Sequence, residues 1–144
     1  MTRELLFLTT FESAFASATG WNSAFAKEGG PLAPSDFPAF VLMPGEARYT
    51  YDSSGSPIAG SQAFDIKITF AHSQLAMALA RATRSDYIGL VDSFFSGYTP
   101  PAVTPGDPAR IDGIILTKVS PSVLNKRDTQ STIIIQASYF FTLL

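Results

Sequence analysis

The sequence contains no cysteine. Disulfide frameworks, cysteine-ligated zinc and thiolate catalysis are excluded at once. A single histidine, His72, leaves no metal site built from several imidazoles. Charge is scarce: Asp, Glu, Lys and Arg make up 15% of the 144 residues, against about 25% in an average soluble domain. Ten Lys+Arg stand against twelve Asp+Glu, giving a net charge of -2, and neither sign runs for more than two residues. The basic footprint that a nucleic-acid backbone demands is missing. Nor is there an apolar run near the roughly 18 residues that span a bilayer. The start superficially matches a signal peptide, with Arg3 before Leu5-Leu6-Phe7-Leu8, but Glu4 and Glu12 interrupt it. The expectation is a soluble, intracellular chain of one domain, residues 1–144, with 46% hydrophobic residues and no disorder.

Catalytic signatures are also missing. There is no GxxxxGK[ST] phosphate loop, no GxGxxG, no HExxH and no GxSxG elbow. His72, at a strand–helix junction, suits a capping or core role. Asp86 with Asp92, or Asp107 with Asp112, are the carboxylate pairs that acid/base work would use, and nothing in the sequence singles out either pair. The reading is therefore no enzyme, with no catalytic, cofactor-binding or metal-ligating residue and no cofactor.

What is present is a regular order of elements. Leu8, Phe11, Phe15 and Ala18 recur at helical spacing, with Leu5, Phe7 and Ala14 flanking, so residues 3–18 read as an amphipathic helix capped by Thr2 and ended by Gly20. Trp21 to Phe25 reads as a short helical continuation before a Gly/Pro loop. Phe37 to Met43 is a strand, Pro44-Gly45 punctuates it, and alternation resumes at Arg48-Tyr49-Thr50-Tyr51. A Gly/Ser/Pro-rich tip from Asp52 to Ser61 follows, too long for an ordinary hairpin loop and hence exposed and mobile or ordered by a partner. Phe64, Ile66, Ile68 and Phe70 then alternate with Asp65, Lys67 and Thr69, the pattern of a half-buried antiparallel strand.

His72 and Ser73 open a second helical region with an apolar stripe at Leu75, Ala76, Leu79 and Ala82. It continues, as one bent helix or two short ones, through Ile88, Val91, Phe94 and Phe95. Tyr98 to Arg110 is a proline-rich connection. Ile111 to Ser120 and Thr132 to Leu144 are the last strands, the second apolar enough to be covered on both faces or buried in an interface. The fold class is α+β, a mainly antiparallel sheet of about four or five strands with two main helices packed on one face, in the order α-β-β-α-β-β.

Twelve Phe, five Tyr and one Trp exceed what a single small core obviously holds, and charge-poor surfaces are typical of obligate interfaces. This predicts a homo-oligomer. Arg81 and Arg84, three apart on one helix, read as solvated or as intersubunit ion-pair partners. Lys126, Arg127 and Asp128 form the tightest cluster of charge, on the loop between the last two strands. That loop and the hairpin tip, with Ser54, Gly55 and Ser56 at its centre, are the candidate assembly contacts on grounds of charge and length. Arg48 and Lys67 on the same hairpin come second.

The amphipathic first helix ending near a Trp, the Phe37-Pro38-Ala39-Phe40-Val41 strand, the hairpin closing in Phe64-Asp65-Ile66-Lys67-Ile68, the Ala-rich helix and the Thr132 to Leu144 strand together resemble tail terminator proteins of long-tailed bacteriophages. The resemblance spans nearly the whole chain and rests on architecture and size. It implies a virion protein of the tail-neck region, made in the host cytoplasm, that forms a ring, typically a hexamer. Such a ring caps the tail tube, ends its polymerisation and joins it to the head connector. Implied partners are other copies of the chain, the tail tube protein and the head-tail connector or stopper protein. No membrane and no sequence-specific nucleic acid is implied, although the lumen of such a ring would pass DNA. A stopper, another head-completion protein or a tube subunit would share these features. From a different class, an α+β domain could use its aromatics as a small-molecule or catalytic pocket.

Overall fold

The computed structural model describes residues 2–23, 37–71, 77–100, 103–104, 109–120 and 130–143. Helix α1 (Arg3–Thr19) starts where the Thr2 hydroxyl accepts from the Leu5 N–H at 3.3 Å, and ends where Gly20, at φ 75°, donates its N–H to Ala16. Its buried line is Phe7, Phe11 and Phe15, one turn apart. The expected stripe is thus shifted: Phe7 is central, Leu8 is half-buried, and Leu5 and Ala18 are exposed. Trp21 is buried, but the helical continuation expected after it is absent at Asn22–Ser23, which form the two-residue strand β1.

Strands β2 (Ala39–Tyr51) and β3 (Pro57–Ala71) form an antiparallel hairpin, followed by helix α2 (Met77–Gly97), the two-residue strand β4 (Val103–Thr104), β5 (Ala109–Val119) and β6 (Gln130–Leu143). The sheet order is β1-β2-β3-β6-β5-β4. The α+β class and the two helices on one face match the sequence reading. The strand inventory needs correction: β1 runs parallel to β2, so the sheet is mixed, and β1 and β4 extend the element order beyond α-β-β-α-β-β. Both short strands arise from pairing, β1 with Ala39–Phe40 seventeen residues on and β4 with the nearby Ala109–Arg110, and carry no periodicity of their own.

One face of the sheet is the core. Phe64, Ile66, Ile68 and Phe70 of β3 lie beside Ile133, Ile135, Ala137, Tyr139 and Phe141 of β6, all at most 1% exposed. Helix α1 lays Phe7 against Phe64 and Tyr139, and α2 joins the same face through Tyr87 on Phe70 and Phe94 on Phe11 and Phe15. Helix α2 is continuous across Ser85-Asp86. Of its described side chains Ala80 and Val91 are buried, and Ala82, the one described side chain of the 75-76-79-82 stripe, is exposed. His72, Leu75 and Ala76 lie outside the described residues.

The aromatic surplus is largely absorbed here. Among the described residues only Tyr49, Tyr51 and Phe140 are exposed aromatics. Strand β6 alternates buried and open along its length, so in one chain it is covered on one face only.

Candidate assembly surface

The face of the sheet turned away from the helices carries no described element. Its rows follow from register. Met43, Asp65, Gln136 and Lys118 form one row across β2, β3, β6 and β5. Ala63, Ser138 and Ile115 form the next, and Arg48, Ser61, Phe140 and Gly113 the one after. Small side chains at Ser61, Ala63 and Ser138 leave a hollow of about 360 Å³, walled by Glu46, Arg48 and Asp65. Around it stand four large apolar side chains, Met43, Ile134, Phe140 and Ile115, at 37–46% exposure. Open sheets usually alternate apolar inside with polar outside, and this face mixes the two.

A β-bulge shapes one wall. Pro44 pairs with Phe64 and Ala47 with Gln62, so β2 takes three steps while β3 takes two. Before the bulge Phe40 and Leu42 point into the core, and beyond it Tyr49, though 42% exposed, lies on that same side of the sheet. Tyr49 pairs with Gly60 and reaches the ring of Phe141 at 5.7 Å between centroids. Gly60 is demanded by close approach: a Cβ there would run into the Arg48 carbonyl and come within 2.7 Å of the Phe141 ring. Arg3 caps that ring at 3.6 Å. Arg48 turns outward and pairs with Glu46 at 3.2 Å, both side chains at least 70% exposed. An ion pair so wet adds little stability.

The hairpin tip is shorter than expected. β3 begins at Pro57, so the loop is Asp52 to Ser56. The Asp52 carboxylate accepts from the Ser54 N–H and hydroxyl and from the Ser56 N–H, at 2.8–3.0 Å. Gly55, at φ 84°, supplies the left-handed turn, and the Ser54 hydroxyl bond leads in holding the Asp52 carboxyl below the usual range. Ser54, Gly55 and Ser56 are all exposed, and the chain's own hydrogen bonds close their turn. Gly60 and Ser61 look like loop residues in sequence, yet they are strand residues, Gly60 small enough to admit Phe141 on the core face and Ser61 turned to the hollow.

Of the other sequence candidates, Arg48 and Lys67 share the open face but lie six residues apart along β3, about 20 Å. The structure does not bring them together. Lys126, Arg127, Asp128 and Asp107 fall outside the described residues. Asp112 accepts from Arg110 at 2.7 Å and from the Thr142 hydroxyl at 2.5 Å, and these bonds, Thr142 first, hold its carboxyl low. Arg84 donates to the Ser120 carbonyl at 3.3 Å, tying α2 to the end of β5. The hollow and its apolar rim were missed in the sequence because they are assembled by register across four strands. The one local signal was Pro44-Gly45, read as a break in the strand.

Among the described residues, no group of three His, Asp or Glu side chains is placed to hold a metal ion. No described helix is long and apolar enough to cross a membrane. No protein-family model matches the chain, and no curated protein sequence is significantly similar to it.

Proposed function

We propose that this chain is a non-enzymatic assembly subunit of the phage tail neck, most specifically a tail terminator whose copies close into a ring, typically of six. The ring caps the tail tube, ends its polymerisation and meets the head connector. The observation that carries the self-assembly part is the open sheet face with Met43, Ile115, Ile134 and Phe140 exposed on it. Large apolar side chains gathered on one face mark a surface that another chain covers. The aromatic count supports the reading less than composition suggests, since most aromatics are in the core. Resemblance in element order and size supports the tail-neck part.

The experiment has two stages. Light scattering with electron microscopy of the purified chain is expected to give rings of about six copies, and a strict monomer at high concentration removes the ring. Arg127→Glu in an assembling system is expected to alter tail length. Tails of wild-type length remove the 126–128 loop from the tube contact, and normal tails without the protein remove the terminator role. Stopper or tube-subunit roles would appear as unjoined heads or missing tubes.

A further inference from the structure

Nearly every charge in the described residues has a partner: Glu4 on Gln62, Glu12 on Ser23, Arg48 on Glu46, Asp52 in its turn, Arg110 on Asp112, Arg84 on Ser120. Six side chains make neither hydrogen bond nor ion pair among the described residues, and they fall into two groups of three. Asp65, Lys67 and Lys118 stand on the open sheet face. Arg81, Asp86 and Asp92 stand on the exposed side of α2. The groups are opposite in sign, one acid with two lysines against one arginine with two acids.

They also lie on opposite sides of the molecule. Helix α2 covers the core face of the sheet through Tyr87 and Phe94, so its exposed side points away from the open sheet face. No movement within one copy brings the two together, whereas a second copy placed head-to-tail does. Lys67 lies two residues from Asp65 on β3, about 7 Å, and Lys118 shares the Asp65 row two strands over, about 10 Å away. Arg81 to Asp92 covers about 16 Å of helix. Long lysine and arginine stems span the difference. Leu90, 43% exposed, adds an apolar side chain to the helix side, to meet the apolar rim of the sheet side.

We infer that the open sheet face binds a second copy of this chain through the outer side of its α2, with Lys67 and Lys118 facing Asp86 and Asp92 and Asp65 facing Arg81. Four strands are about 19 Å wide, and the β3–β6 pairing from Ala59 to Ala71 is roughly 40 Å long. That makes an open face of about 800 Å², of which α2, about 31 Å long and roughly 10 Å across, covers about 300 Å². The contact joins two different patches, so it is heterologous and closes into a ring when its rotation permits. The inference rests on the self-assembly part of the proposed function and adds which surfaces meet.

Charge reversal tests it on the full chain by sedimentation velocity, with circular dichroism and melting to show that each variant folds. K67E/K118E reverses the sheet side and D86K/D92K the helix side, all at exposed positions. Each pair alone is expected to weaken self-association by about a hundredfold, the effect of several like charges forced together. All four together are expected to restore it, and raising salt is expected to weaken the wild-type assembly. A wild-type assembly unmoved by either pair, or pairs that dissociate it without rescue in combination, overturns these surfaces and leaves the ring standing. A wild-type monomer overturns both.

Discussion

The Tyr139 hydroxyl donates to Gln62 Oε1 at 2.7 Å, deep beneath α1, and Gln62 Nε2 passes the link to Glu4 at 2.7 Å. Gln62 is 4% exposed and Tyr139 0%, so neither side of the bond between them has water to fall back on. Tyr139→Phe leaves the Gln62 carbonyl oxygen unpaired, and Gln62→Leu leaves the Tyr139 hydroxyl with Arg3 alone and Glu4 without its amide partner. Each is expected to lower unfolding stability by about 1–3 kcal/mol. The double variant should cost less than the sum, because no orphaned partner remains at that bond. Urea denaturation of the four proteins checks this, and strict additivity would show that the bond is not maintained in solution.

Burial pushes the Tyr139 hydroxyl above its ordinary value, with Arg3 offsetting part of the rise, and burial moves Tyr87 and Tyr98 the same way. The folded state therefore holds these protons more tightly than the unfolded chain. Their contribution is fully present below the unfolded tyrosine value of about 10 and is lost as pH rises through the folded values. Unfolding free energy measured against pH should fall above about 10, and Tyr139→Phe should make that fall shallower.

Phe11 is completely buried, and six rings surround it at 5.1–5.7 Å: Phe7, Phe15, Phe64, Phe94, Phe95 and Tyr98. It is the residue through which α1, the sheet and α2 meet. Phe11→Ala is expected to cost about 3–5 kcal/mol, read as a fall in Tm of about 10 °C. Loss of ellipticity at 222 nm should coincide with loss of the aromatic signal, since one core holds both layers.

Gly60→Ala adds a single methyl group between the Arg48 carbonyl and the Phe141 ring. The tighter contact is with backbone, so the β2–β3 pairing at Arg48 must shift and the ring of Phe141 must leave its place below Arg3. The expected cost is about 1–3 kcal/mol, and Phe141→Leu in the same chain should recover part of it. Ser61→Ala, one residue on and facing the hollow, is expected to be near neutral in the same denaturation measurement.

Much of this fold was legible where one face is buried and the other wet. Phe64, Ile66, Ile68 and Phe70 announce β3 because each sits on the core face, and Phe11 and Phe15 announce α1 for the same reason. Thr2 and Gly20 mark the helix ends through local hydrogen bonds, which need no knowledge of the fold. Legibility fails where the cause lies elsewhere in the chain. Asn22–Ser23 is a strand only because Ala39–Phe40 lies beside it. Gly60 and Ser61 resemble a loop until Phe141 and Phe140 of β6 are placed beside them. Of the candidate surface, Lys67 and Arg48 were found by their charge, but the hollow between their rows depends on Ser138 and Gln136, 69 or more residues away in the chain.

The bulge at Pro44 to Ala47 acts as a phase shifter for the outer half of the hairpin. Upstream of it even-numbered residues of β2 face the core, and downstream odd-numbered ones do. Deleting one residue there, Gly45 for instance, would let Glu46 pair with Ala63 while Ala47 stays opposite Gln62, so the bulge would vanish and every later side chain would keep its face. Arg48 would remain in the outer wall beside the hollow, and Tyr49 would remain over the ring of Phe141. Inside and outside at this end of the molecule are thus set by the register with β3, and the bulge takes up the one residue by which β2 is the longer.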